Sequence, residues 1–415
     1  MVPEGWEKGN LAEYIHIKHG FAFKSEFFSG QGDLVLLTPG SFYESGGFRD
    51  QGPKTKYYTG EVPEGYLLSK GDMLLAMTEQ AEGLLGSALI VPEDTKYLHN
   101  QRLGLVQIQQ PSHVCLDFLY LFFNSPTVRK QISEQSTGTK VKHTSPSRLC
   151  SVVGLIPPLS EQQKIAKILA TWDEAIATTE QLLANSKQQK KALMQQLLVG
   201  KKRLPGHEVG WKYLPILKIS TRIQRESEGG DHPILMIASK SGFVSQDKKY
   251  SRYMAGESVN SYILLKNGEF AYNKGNSLTY QFGCVFELNE FEAGLVPSVY
   301  VCFKLNKGFS NRYYKHLFES DYLKSQLGSL VNTGVRNNGL LNIKPSEFLN
   351  STVPVPLLEE QERIADVFDR ATHEILTLKQ NLEKLKCEKK ALMQQLLTGK
   401  RRVKVDEAPA EAASA

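Results

Sequence analysis

The 415-residue chain is poor in cysteine: Cys115, Cys150, Cys284, Cys302 and Cys387 are an odd number, with no Cys-x-x-Cys pair. That spacing supports neither a disulfide framework nor a zinc ribbon. Long apolar runs are also missing. No uncharged stretch approaches the roughly 20 residues that a membrane-spanning helix needs, and the opening Met-Val-Pro-Glu-Gly-Trp-Glu-Lys has no leader-like apolar segment. A cytoplasmic location with reduced thiols is expected. Charge of one sign is scarce as well: 50 Lys+Arg against 44 Asp+Glu leave +6, which tilts only slightly toward nucleic acid. What is present, 41% hydrophobic and 23% charged residues, is the composition of a folded soluble chain. Its length predicts two to four domains, each able to bury its own core.

Catalytic signatures are absent too. The sequence holds no G-x-x-x-x-G-K-[ST] or G-x-G-x-x-G phosphate turn, no H-E-x-x-H and no G-x-S-x-G elbow. The amino-methylating pattern of Asn or Asp, Pro, Pro and an aromatic is not met, because Pro157-Pro158 lies between Ile156 and Leu159. His16-x-x-His19 has nothing nearby to complete a metal ligand set, and Glu93-Asp94-Thr95-Lys96 is too short a pattern to indicate a nuclease. The chain reads as a binding protein.

Its strongest feature is an internal repeat. Lys190-Lys191-Ala192-Leu193-Met194-Gln195-Gln196-Leu197-Leu198 recurs letter for letter from Lys389 to Leu397, an offset of 199. The same offset carries Pro157, Leu159, Glu161, Gln162, Ile165 and Ala166 onto Pro356, Leu358, Glu360, Gln361, Ile364 and Ala365, and Gly200-Lys201 and Arg203 onto Gly399-Lys400 and Arg402. The segments ahead of the two copies match only in places: Gly5-Trp6 with Gly210-Trp211, Thr137-Gly138 with Thr333-Gly334, Pro146-Ser147 with Pro345-Ser346. The chain therefore divides into variable segments 1–156 and 204–355 and repeated segments 157–203 and 356–402. The tail 403–415 has the composition of a disordered end.

Alternating steps of four and three through the first repeated segment pick out Ile165, Leu169, Trp172, Ile176, Leu183, Leu193 and Leu197. In the second they pick out Ile364, Phe368, Ile375, Leu378, Leu382, Leu385, Leu392 and Leu396. A 3.5-residue period predicts a long helix with a coiled-coil seam, about 38 residues or about 57 Å long. Thr179, Ser186, Lys190 and Lys389 interrupt the apolar stripe. Ser160 with Gln163 reads as a capping box, and Gly200 and Gly399 stand where C-terminal glycine caps belong. The greasy stripes predict that the helices pack on each other, in a direction the spacing does not fix. The clusters Lys201-Lys202-Arg203 and Lys400-Arg401-Arg402 suit a helix C-terminus, and they equally suit phosphate contact.

Both variable segments mix strand-like runs (34–37, 73–77, 104–108, 262–265 and 298–303) with a late aromatic-rich helix at 117–123 and 313–318, so the fold class is α+β. The aromatics belong to cores rather than to base stacking. A polar, basic loop follows each of those helices. Thr137, Thr139, Lys140, Lys142 and His143 are candidate DNA contacts in the first, and Thr333, Arg336, Asn337 and Asn338 in the second. Arg and Lys suit guanine or phosphate, Asn suits adenine, and Thr suits either. Further candidates are Thr78, Gln80, Asn100, Gln101 and Arg102, with Asn273, Lys274, Asn276 and Ser277 in the second segment.

The opening motif Pro157-Pro158-Leu159-Ser160-Glu161-Gln162-Gln163-Lys164-Ile165-Ala166, the closing Leu-Met-Gln-Gln-Leu-Leu-x-Gly-Lys, their duplication and the two divergent segments resemble the DNA specificity subunits of type I restriction-modification systems. The resemblance spans nearly the whole chain. It implies two pseudo-repeated α/β target recognition domains joined by two long helices in an intramolecular antiparallel coiled coil. Each domain would read one half of a bipartite site in double-stranded DNA. The helices would fix the half-site spacing and dock two modification (methyltransferase) subunits, with restriction subunits joining them. No cofactor is then expected in this chain: S-adenosylmethionine, ATP and magnesium would belong to the partners. The competing expectation is a coiled-coil scaffold whose variable domains bind ligands other than DNA.

Overall fold

The computed structural model describes residues 2–138, 141–226, 232–239, 241–246, 261–275, 277–331 and 341–405. The chain forms two compact units, Met1–Thr178 with Leu382–Ala415, and Thr179–Asn381. It is a mixed helix-and-sheet protein with two long helices, Leu159–Leu197 and Leu358–Leu397.

Unit 1 is built on an antiparallel sheet in the order Ile15–His19, Leu103–Ile108, Met73–Ala76, Ala88–Ile90. The central strand is apolar at every position because both its faces are covered. Met73 and Leu75 pack with Phe118, Leu119 and Phe122 of the helix Leu116–Phe123. Leu74 and Ala76 face the opposite cluster of Val35, Leu37, Phe42 and Tyr97. That second cluster borders a smaller sheet of Phe28–Ser29, Tyr57–Tyr58, Leu34–Leu36 and Tyr97–Leu98.

Unit 2 repeats the plan. Its four-stranded sheet runs Ser220–Ile223, Val301–Leu305, Phe270–Asn273, Cys284–Glu287, the same sequence-to-space order as in unit 1. Phe270 and Tyr272 bury against Tyr313, Tyr314 and Leu317 of the helix Asn311–Glu319. Ala271 joins the cluster on the other face. The aromatics of these helices are core residues, as expected: Phe118, Phe123, Tyr313 and Tyr314 have no exposed surface. The strand expected at 298–303 instead begins at Val301, because Pro297 opens a turn closed by the Tyr300 amide.

Each unit also has a two-stranded ribbon leading into its long helix, Glu7–Asn10 with Val153–Ile156 and Lys212–Pro215 with Thr352–Val355. A glutamine locks each ribbon to a neighbouring helix by a two-way bond: Gln131 donates to the Val153 carbonyl and accepts its amide, and Gln326 treats Thr352 likewise.

The first long helix starts at Leu159, so Ser160 sits inside its first turn and no capping box forms there. The Gln162 amide bonds instead to the Pro158 carbonyl, proline being well suited to a helix start. Gly200 and Gly399 adopt left-handed φ of 73° and 65°, the conformation a C-terminal cap requires. A Cβ would also meet the Trp211 ring at 2.9 Å and Pro3 at 2.3 Å, so both positions need glycine twice over.

The repeated Glu-Gln pair has a distinct job at each residue. Buried Gln162 donates to the His113 and Pro157 carbonyls and accepts the Cys115 amide; Gln361 donates to the Pro356 carbonyl and accepts the Ser310 amide. Each glutamine thus ties the start of a long helix to the segment leading into the aromatic helix. Glu161 and Glu360 each anchor a clasp. In unit 2, the Trp211 indole N–H donates to Glu360 at 2.9 Å and Arg203 forks onto both carboxylate oxygens at 2.6 and 2.7 Å. The guanidinium lies 5.1 Å from the Trp211 ring. In unit 1, Trp6 and Arg402 hold Glu161 the same way. The last arginine of each basic cluster therefore serves an internal ion pair. The matching Gly-Trp pairs near 5 and 210 are the third member of each clasp.

Inside unit 2 the two long helices run antiparallel: Ser186 donates to Glu374 at 2.8 Å and Lys190 to Thr372 at 2.6 Å. Inside unit 1, Ile165 and Leu169 cluster with Leu392 and Leu396, and Lys389 pairs with Asp173. Ile165, Leu169, Leu183, Leu197, Ile364, Phe368, Leu382 and Leu396 are buried. Trp172, Ile176, Leu193, Ile375, Leu378, Leu385 and Leu392 are half-buried. Three of the four interrupting side chains, Ser186, Lys190 and Lys389, reach across to the other helix.

Candidate nucleic-acid interface

In unit 1 the candidate residues gather at one end of the four-stranded sheet, where Met73–Ala76 ends and Leu103–Ile108 begins. The Met77 amide donates to the Arg102 carbonyl, and the Met77 carbonyl accepts the Thr144 amide. The basic loop is thereby stitched to the sheet end. Thr137 and His143 exchange backbone bonds of 3.0 and 2.8 Å, and the Glu79 amide bonds to the Lys142 carbonyl. Thr78 is buried, its hydroxyl 3.2 Å from His143 Nδ1, so it supports the loop rather than facing outward. Gln80, Gln101, Arg102, Thr137, Lys142 and His143 are exposed around it. Lys142 lies 3.9 Å from Glu79 and donates to Ser133 at 2.9 Å, while Arg148 donates to Thr137 Oγ1. Asn100 is half-buried and its side chain accepts the Arg102 amide, shaping the turn that presents Gln101 and Arg102. Thr139 and Lys140 lie outside the described residues.

His99 underpins that turn. It has no exposed surface, and its Nε2 lies 2.9 Å from the Leu103 carbonyl. Burial pushes its pKa down to about 4, so the ring is neutral near pH 7. Nothing in the sequence marked this histidine, because its role depends on burial alone.

In unit 2 the equivalent sheet end is stitched at the corresponding place: the Lys274 carbonyl accepts the Leu341 amide, where the chain returns from its second polar loop. Asn273 accepts the Gly275 amide and Ser277 closes a turn with Tyr280. Asn276, Thr333, Arg336, Asn337 and Asn338 lie outside the described residues. Burial drives the neighbouring Cys284 and Cys302 thiols up to about 12, which leaves them unreactive.

Among the described residues no group of three or more His, Cys, Asp or Glu could hold a metal, and no helix is long and apolar enough to cross a membrane. Exposed donors and acceptors on loops carried by the rigid sheet of unit 1, whose plan unit 2 repeats, suit the recognition of a macromolecule.

The family model for the type I restriction modification DNA specificity domain matches residues 3–187. The MjaVIII specificity subunit of Methanocaldococcus jannaschii is 24% identical over 323 residues, 72% of this chain and 74% of that one. The EcoBI specificity subunit of Escherichia coli is 26% identical over 206 residues, 48% of this chain and 40% of that one. Two solved structures share the fold. The S subunit from M. genitalium has a TM-score of 0.56 at 13% identity, covering 95% of this chain and 96% of that one. The HsdS subunit from Thermoanaerobacter tengcongensis has a TM-score of 0.53 at 16% identity, covering 96% and 98%. Residues 3–187 therefore match a type I restriction modification DNA specificity domain, and the chain is similar over most of its length to specificity subunits of type I restriction enzymes.

Proposed function

We propose that the variable segments 1–156 and 204–355 are two target recognition domains, each reading one half of a bipartite, asymmetric site in double-stranded DNA. The two long helices pair along their length as one antiparallel coiled coil that fixes the half-site spacing and docks two modification subunits. Restriction subunits join that cytoplasmic complex. Adenine methylation and cleavage, with S-adenosylmethionine, ATP and magnesium, belong to those partners. The observation that carries this reading is the recurrence of sheet order, glutamine locks and clasp around loops of unrelated sequence: a constant frame holds interchangeable readers. Methylome sequencing of cells carrying the chain with its cognate modification subunit tests it. A bipartite methyladenine motif should appear and vanish on deletion of the chain; a continuous motif, or none, would overturn the reading.

A further inference from the structure

We propose that Phe21 is a base-contacting residue of the first recognition domain, its ring meeting the face or methyl edge of a base in that domain's half-site. This rests on the reading above that the loop end of this domain meets DNA.

Phe21 belongs to none of the polar loops, yet the backbone fastens it to them. Its amide donates to the His99 carbonyl at 2.9 Å, and its carbonyl accepts the Gln101 amide at 2.8 Å. Gly20 makes this approach possible, since a Cβ there would stand 1.9 Å from the Asn100 carbonyl oxygen. The ring is thus set beside the turn that presents Gln101 and Arg102. It is 36% exposed, and Leu67, which bridges Leu98 in the strand leading to that turn, is 43% exposed. A large aromatic exposed on a rigid backbone beside polar readers is a ready stacking surface.

The ring is also held in place before any ligand arrives. It stands edge-on to Phe23 at 5.2 Å and tilted against Tyr66 at 5.3 Å. Lys18 Nζ sits 4.3 Å from the Tyr66 ring centroid and donates to the Gly65 carbonyl at 2.7 Å, which fixes that second ring. Little side-chain entropy remains to be lost on contact. Lys18 beside the Tyr66 ring and exposed Arg102 on the adjoining turn add positive charge, which suits a polyanion. An apolar wedge or thymine-methyl contact next to hydrogen-bonding readers is a recurrent way to read DNA.

The test uses the full chain and a pool of duplexes of random sequence, from which wild type selects its bipartite motif; affinity for that duplex is then measured for F21A, F21L, F21Y and R102A. F21A and F21L should weaken binding by about tenfold and lose preference at one or two positions of one half-site only, with F21Y near wild type. F21L keeps the apolar bulk, so it carries the comparison should F21A fail to fold. If F21A and F21L select the wild-type motif with unchanged affinity while R102A blurs one half-site, the role of the ring is overturned and the interface stands. If R102A is silent as well, the interface assignment itself falls. Unchanged DNA binding with loss of a co-purifying modification subunit would make Phe21 a protein contact, and would also overturn the proposal.

Discussion

A carboxylate with 1% of its surface exposed must be paired to stay charged, and Glu360 is paired three ways, by both prongs of Arg203 and by Trp211. Removing the guanidinium strands the charge. R203A should lower the stability of unit 2 by roughly 3 kcal/mol in urea denaturation. R203K should recover only part, because an ammonium cannot fork onto two oxygens. Of this clasp the sequence displayed the repeated letters but not the contact, since Trp211 and Glu360 are 149 residues apart and Arg203 and Glu360 are 157 apart. In the sequence Arg203 reads as a helix-end cation or a phosphate contact, and neither reading names its carboxylate partner. His99 makes a second prediction. Its folded pKa of about 4 lies below the unfolded value of 6.5, so the unfolded chain binds more protons between those values. The contribution is complete above about pH 6.5 and shrinks as pH falls toward 4, a loss of about 2 kcal/mol by pH 5. H99Q should flatten that part of the stability profile, measured as the urea midpoint between pH 7.5 and 5.

At the scale of elements, the two aromatic helices meet their long helices by different physics. In unit 1, Leu121 packs into the apolar cluster of Ile165 and Leu169. In unit 2, Arg312 bonds to Glu362, Asp366 and Asp369 of the second long helix, and buried His316 lies 2.7 Å from Asp369. Burial pushes the Asp369 carboxyl up, but hydrogen bonds from His316 and Arg312 outweigh it and hold the group below the usual range. Arg312 and its carboxylates are nearly half exposed, so salt screens them. One molar salt should therefore speed amide exchange in Asn311–Glu319 while leaving Leu116–Phe123 unchanged, read by mass spectrometry. The existence and length of the long helices were legible from period and glycine caps, because helix signals are local. The topology of the sheets was not: their strands are short, and both faces of Met73–Ala76 are buried, which erases the alternation that marks a strand. The first candidate loop was legible as a polar turn. Thr78 reads in the sequence like its exposed polar neighbours, yet it is buried against His143, because burial and not residue type decides which way a threonine faces.

For the whole molecule, the coiled coil acts as a ruler in the proposed function. Deleting one turn from each long helix shortens it by about 5.4 Å, and the permitted spacer should change by one or two base pairs, read from the methylated motif. An unchanged spacer would remove the helices from that role. Loop substitutions belong to this scale too: replacing Lys142 and Gln101 should blur one half-site and spare the other, since the proposed function assigns each half-site to a separate domain.

The clasps bear on descent as well as on stability. Each takes its carboxylate from the beginning of one copy and its guanidinium from the end of the other, while the tryptophan stands near the front of the variable segment. A foreign variable segment would close the joint if it brought a tryptophan near its start, a glutamine for the ribbon and a late helix whose outer face suits the long helix it meets.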